Sequence, residues 1–149
     1  MENFRRHEGL DLVSFCRVAR NFVDNYLSRR RCSVALRGDL GVGKTAFSRE
    51  VIEYLCGGGC FVGSPTYSII HEYSGSGFVV YHVDLYRVSS LLEVRDLGFY
   101  DIFYDGVVIV EWPEVLVDSV VFDVDIEITR SATVVCGESL RDMSIRWHV

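Results

Sequence analysis

Apolar side chains at Leu12, Phe15, Cys16, Ala19, Phe22, Val23, Tyr26 and Leu27 recur at three- and four-residue intervals, with polar residues between them. That spacing predicts an amphipathic helix over residues 11–28, with one stripe turned to the core and Asp11 as its N-cap. Ser33-Val34-Ala35-Leu36 then reads as a buried strand, and Ala46 to Leu55 as a helix that Gly57-Gly58-Gly59 ends. Tyr67 to Tyr73 and Phe78 to Asp84 read as the strands of a β-hairpin, joined across Ser74-Gly75-Ser76-Gly77. A further short helix is predicted from Leu91 to Leu97, closed by Gly98. Val107-Val108-Ile109-Val110 is apolar throughout and predicts a central strand ending on Glu111-Trp112-Pro113. Val121 to Ile128, Thr133 to Cys136 and Met143 to Trp147 predict two or three more strands. Strands interleaved with helices give an α/β chain, a mixed central sheet flanked by helices. A length of 149 residues predicts one domain, residues 1–149.

Between the first of these strands and its helix lies Gly38-Asp39-Leu40-Gly41-Val42-Gly43-Lys44-Thr45, which fits G-x-x-x-x-G-K-[ST]. In that pattern the backbone N–H groups wrap a nucleotide's phosphates, and the following helix turns its positive end to the same spot. The predicted fold is therefore a single-domain P-loop NTPase, with Asp39, Leu40, Gly41, Val42, Gly43, Lys44 and Thr45 at the nucleotide. Lys44 is the only lysine among 15 basic residues. A chain that otherwise uses arginine keeps its one compact ammonium where a point charge must reach the β- and γ-phosphates.

Charge and composition narrow the classes. A net charge of −6 argues against a protein that grips nucleic acid by itself, because phosphate neutralisation supplies most of that affinity. Arg29-Arg30-Arg31 is the one basic run, and it reads as capping a helix end rather than contacting RNA. No apolar run reaches the roughly 18–20 residues of a membrane span, and the start leads into no signal-type stretch, so a cytoplasmic protein is expected. Five scattered cysteines without a C-x-x-C pair suit packed thiols in a reducing compartment, and Cys56 and Cys60 lack a second pair with which to hold zinc.

A phosphate loop needs a hydroxyl and an acid around Mg²⁺, and a group to orient the attacking atom. Thr45 supplies the hydroxyl. Asp84 and Glu111 stand at the ends of apolar strands, where open α/β sheets bind ligands, and either could flank the metal. Thr66, after Pro65, sits where nucleotide switches keep a threonine that senses the γ-phosphate. His82 reads as packing or hydrogen-bonding within its strand, Trp112 as core or a stacking surface, and Arg87 and Arg95 as ion-pair residues.

Taken together, the phosphate loop, Ser64-Pro65-Thr66-Tyr67, His82-Val83-Asp84-Leu85-Tyr86-Arg87 and Val110-Glu111-Trp112-Pro113-Glu114 resemble the TsaE (YjeE) family in order and spacing, over about residues 8 to 130. The resemblance implies a small bacterial ATPase with one ATP and Mg²⁺, needed for threonylcarbamoyladenosine beside the tRNA anticodon. It implies TsaB-like and TsaD-like partners. TsaD transfers the threonylcarbamoyl group, ATP hydrolysis drives or resets the complex, and tRNA is held mainly by the partners. It places Mg²⁺ between Thr45 and Glu111, gives Asp84 the task of polarising water, and puts Thr66 in a switch-like loop and Trp112 at the nucleotide or partner face. Lys44, Asp84 and Glu111 are thus the expected catalytic residues. Two rivals remain: a small P-loop kinase, and an ATP-dependent binding module whose hydrolysis is incidental.

Overall fold

Seven strands form one sheet in the computed structural model, which describes residues 3–27, 31–75 and 77–148. They are β1 (Phe4–Leu10), β2 (Cys32–Arg37), β3 (Ile70–Gly75), β4 (Phe78–Asp84), β5 (Val107–Glu111), β6 (Val124–Val135) and β7 (Glu138–Trp147), in the spatial order β1-β7-β6-β2-β5-β4-β3. The four inner strands, β6, β2, β5 and β4, run parallel. Antiparallel pairing of β3 at one side and of β7 and β1 at the other completes a mixed sheet.

The central strands β2 and β5 are buried along almost their whole length because both their faces are covered. Helices α1 (Leu12–Tyr26) and α2 (Lys44–Leu55) cover one face, where Phe15, Phe22 and Phe47 pack on Val34, Leu36, Val107 and Ile109. The short helices α3 (Leu91–Asp96) and α4 (Phe99–Ile102) and a 3₁₀ turn (Pro113–Leu116) cover the other, where Val94, Phe99 and Leu116 meet Ala35, Val108 and Val110. Side chains along a strand alternate between faces. Continuing Val107 and Ile109 by two residues therefore sends Glu111 toward α2, and continuing Val80 sends His82 and then Asp84 the same way.

Local signals decide where the helices begin and end. Asp11 accepts the Ser14 amide at 2.7 Å and starts α1. Ser90 caps α3, its hydroxyl accepting the Glu93 amide and donating to the Glu93 carboxylate, and Gly98 closes the helix at φ 72°. Gly57 and Gly58 return their amides to Tyr54 and Glu53 at the end of α2.

Several elements differ from the sequence expectation. β1 was not expected. Its residues are mostly exposed and carry charge, as an unpaired sheet edge requires, so no apolar alternation announces it. β3 begins at Ile70 rather than Tyr67, because Ile69 lies in the left-handed region (φ 66°) and breaks the extended run. Thr133 to Cys136 is no separate strand: residues 133–135 belong to the long β6, which turns back through Cys136 and Gly137 into β7. Cys136 is exposed at that turn, while Cys32 is buried and Cys16, Cys56 and Cys60 are half-buried. Arg29 and Arg30, read as part of a capping run, lie outside the described residues. Among the described residues no helix is long and apolar enough to cross a membrane.

Candidate functional site

Leu36 of β2 and Asp84 of β4 both pair with Glu111 of β5, so the three parallel strands end level with one another. At that level the chain leaves β2 through residues 38–43 and enters α2. Gly38 adopts φ 137°, and a Cβ there would collide with the carbonyl oxygen of Ile128 on β6. Gly43, at φ 117°, is the N-cap and offers no side chain to the first turn of α2. The opening amides of that helix are thus left for whatever enters in front of them.

The cleft in front of the loop has a volume of about 280 Å³ and is lined by Leu40, Gly41, Gly43, Lys44, Thr45, Thr66, Asp84, Glu111 and Trp112, among others. Eight of the expected site residues therefore converge. The other two differ: Asp39 lines a neighbouring groove with Arg37, Glu114 and Glu127, and the Val42 side chain is buried on the α1 side of the loop.

Within the cleft the polar atoms are ordered in two sets. Thr45 donates its hydroxyl to Glu111 Oε2 at 2.9 Å, while Glu111 Oε1 accepts from His82 Nε2 at 2.6 Å and from Ser48 at 3.2 Å. Thr66 donates to Asp84 Oδ2 at 2.9 Å, and the Tyr86 amide donates to Asp84 Oδ1 at 2.9 Å. The loop bearing Thr66 is pinned to the strand end, since the Asp84 amide donates to the carbonyl of Ile69. His82 is packed in the core, one of the two readings the sequence offered, while its hydrogen bond runs across strands to Glu111 rather than within its own strand.

Lys44 is almost wholly buried. Its ammonium donates to the carbonyls of Gly38 (2.6 Å) and Asp39 (2.8 Å) and lies 3.9 Å from the centroid of the Trp112 ring. Burial holds its pKa below the usual lysine range, against the pull of Glu111, Glu114, Asp84 and Asp39. Trp112 reaches over the lysine because its own backbone is left-handed (φ 56°), a costly conformation for a large side chain. Tyr86 packs against the same indole, with ring centroids 4.9 Å apart. Arg87 lies over the ring of Tyr67 and Arg95 pairs with Asp96 on the surface, so neither lines the cleft.

The hydroxyl of Thr45 and the carboxylate of Glu111 are hard oxygen donors side by side. That donor set fits Mg²⁺, which is commonly held by one or two protein carboxylates plus substrate phosphates. With the carboxylates of Asp84 and Glu111 both lining it, the cleft also favours a divalent cation alongside any polyphosphate.

A second cavity, about 150 Å³, opens on the far side of Gly43, between Leu10, Leu12, Phe15, Val42, Ser139 and Arg141. Arg141 donates to the Val42 carbonyl at 2.7 Å, and Arg130 brings its guanidinium close to Gly41. The β6–β7 hairpin therefore braces the loop from outside. No sequence signal links Arg141 to Val42, 99 residues away. Ser48, by contrast, stands three residues after Thr45 and was within reach of helical spacing.

Residues 13–136 match the sequence model of the family described as threonylcarbamoyl adenosine biosynthesis protein TsaE. A Rickettsia conorii protein named tRNA threonylcarbamoyladenosine biosynthesis protein TsaE is 43% identical over 83 residues, covering 56% of this chain and 47% of that one. A Haemophilus influenzae protein of the same name is 35% identical over 108 residues, covering 70% and 68%. The chain spans about half the length of the Rickettsia conorii relative it matches. In three dimensions it is similar to the crystal structure of Bacillus subtilis YdiB, with a TM-score of 0.68 at 21% identity, over 99% of this chain and 87% of that one. That likeness supports the fold.

Proposed function

The chain belongs to the TsaE family, and we propose that it hydrolyses ATP to ADP and phosphate in support of tRNA threonylcarbamoyladenosine modification, alongside TsaD-like and TsaB-like proteins. The observation that carries this reading is the single cleft in which Lys44, the Thr45–Glu111 pair and the Thr66–Asp84 pair all face the mouth of the phosphate loop.

In this reading the loop amides and Lys44 hold the β- and γ-phosphates, with Lys44 leaving its two carbonyl partners to do so. Thr45 and Glu111 hold Mg²⁺, which when bound supplies positive charge against the phosphoryl oxygens. Asp84, fixed by Thr66 and by the Tyr86 amide, accepts a hydrogen bond from the attacking water and aims it at the γ-phosphorus, opposite the bond to the leaving ADP oxygen. Thr66 couples the preceding loop to whether that place is filled. The apolar slot at Leu10, Leu12 and Phe15 seats the adenine ring, because it adjoins Gly43 where the nucleoside leaves the phosphate loop.

A second reading, phosphoryl transfer to a small acceptor, draws on the groove of about 550 Å³ that shares Tyr86 and Trp112 with the cleft. Incubation with γ-labelled ATP decides between them. Label released as inorganic phosphate supports hydrolysis, and label retained on an added or co-purified acceptor supports the kinase. The pathway assignment is tested by co-purification with TsaD-like and TsaB-like proteins, with and without a non-hydrolysable ATP analogue. Restoration of the modification in a depleted strain by a hydrolysis-dead variant would instead mark the protein as an ATP-dependent binding module.

A further inference from the structure

Glu111 is 2% exposed, and its two carboxylate oxygens have different surroundings. Oε1 points into the protein and takes two donors that are themselves fully buried, His82 Nε2 at 2.6 Å and the Ser48 hydroxyl at 3.2 Å. Oε2 points to the cleft and has only the Thr45 hydroxyl, at 2.9 Å. A carboxylate accepts and does not donate, so the ring nitrogen facing it carries the proton. The other nitrogen of the ring, Nδ1, is buried with no hydrogen-bond partner among the described residues. A polar ring sunk between β4 and α2 with one nitrogen unsatisfied costs stability that an apolar residue there would avoid. What the ring does accomplish is the bond to Oε1.

We propose that His82 is a positioning residue for the divalent-cation site: by tying Oε1 inward it leaves Oε2 as the single oxygen of Glu111 presented to the metal beside Thr45. The inference rests on the reading of Thr45 and Glu111 as the Mg²⁺ residues. Ser48 helps, but its bond is longer and its one hydroxyl proton is shared with the carbonyl of Lys44, so His82 sets the orientation. Without the imidazole the carboxylate is free to turn, and both oxygens compete for Thr45 and for the metal. Outer partners that orient a metal-binding group commonly change metal affinity about 10–100-fold when removed.

The test uses the full chain, a fluorescent ADP derivative and a Mg²⁺ titration, with nucleotide affinity in EDTA measured alongside. For His82→Leu the expected result is unchanged affinity in EDTA and about a tenfold rise in the Mg²⁺ concentration that gives half of the metal-dependent gain. His82→Gln, whose amide nitrogen reaches about where Nε2 lies, should return that concentration to within about threefold of the parent. Thermal unfolding accompanies each variant. If His82→Leu does not fold, His82→Asn, whose amide is one bond too short to reach Oε1, is read in its place. Parental Mg²⁺ dependence in the Leu or Asn variant overturns the inference, as does a Gln variant as impaired as either, since space-filling would then be the whole role. If the parent itself binds nucleotide with no Mg²⁺ dependence, the Thr45–Glu111 reading falls, and this inference falls with it.

Discussion

Asp84 and Glu111 are register partners at the ends of adjacent parallel strands, yet their carboxylates engage different threonines, Thr66 and Thr45. Backbone pairing holds them level while their hydrogen bonds keep them apart in role. Asp84→Asn keeps the shape and one acceptor oxygen but loses the charge that polarises water. Nucleotide affinity should stay within about twofold, while hydrolysis falls by about 10² or more. Glu111→Gln should instead weaken the Mg²⁺-dependent part of nucleotide binding by about tenfold. Binding and turnover measured on both variants check the division. Asp84→Asn turning over at the parental rate would remove Asp84 from the reaction.

The second prediction concerns Lys44 and Trp112. An ammonium 3.9 Å from the indole centroid is held by the ring face and by two carbonyls of the phosphate loop. Phosphates compete for the same ammonium, so nucleotide binding should change the surroundings of Trp112. The chain has two tryptophans, and Trp147 lies on β7, three places along the sheet from β5, and packs on Tyr26. Intrinsic fluorescence should therefore respond to Mg²⁺·ADP in Trp147→Phe and lose that response in Trp112→Phe. Lys44→Ala should lower nucleotide affinity by about 10² or more, the scale of losing a charged hydrogen-bonding group at a phosphate.

Much of this site was legible before the fold was known, for a physical reason. A phosphate loop is a local object: its glycines, lysine and hydroxyl act within one strand–loop–helix unit, so Gly38 to Thr45 announce themselves. Asp84 and Glu111 were legible because a carboxylate closing an apolar run stands out. His82 and Arg141 were not, since their partners are set by strand order and by a hairpin returning from the far end of the chain. β1 was hidden for a related reason, because an edge strand exposed on most of its length has no hydrophobic period to read.

The cavity proposed to seat the adenine supplies a third prediction. Leu12 lines it yet is 73% exposed, so removing its side chain should cost little stability. Leu12→Ala removes a few methylene-sized contacts with a bound base, about 1 kcal/mol, or roughly fivefold in affinity. ATP binding should weaken by that factor, while competition by inorganic tripolyphosphate, which has no base, stays at the parental level. Equal weakening of both would place the base elsewhere.

Thiol reactivity checks the fold independently of any ligand. Burial pushes Cys32 up to about 12, with Asp123 adding to it, and burial beside Cys60 pushes Cys56 up to about 12. A raised thiol pKa means less thiolate at pH 8, and the thiolate is the form that reacts. Cys136 stands exposed in the β6–β7 turn. Iodoacetamide at pH 8 should alkylate Cys136 first and Cys32 last, as read by peptide mass spectrometry over time.

Finally, two glycines of positive φ should behave differently when replaced. Gly57 (φ 69°) has open space around the position a Cβ would take, so Gly57→Ala meets only the left-handed backbone penalty, about 1 kcal/mol. Gly38 (φ 137°) lies outside the region that even Asn or Asp visits with ease, and its Cβ would strike the Ile128 carbonyl and crowd Val42. Relief requires either β6 or the phosphate loop to move. β6 is paired on both sides, with β2 and β7, so the loop is the part that yields. Gly38→Ala should thus cost about 2–3 kcal/mol in unfolding stability and also lose nucleotide affinity, because a displaced loop no longer aims its amides at one point. Denaturant unfolding and nucleotide titration on both variants test this. Gly57→Ala should bind nucleotide as the parent does, and equal effects of the two substitutions would show that backbone conformation, not the approach of β6, governs Gly38.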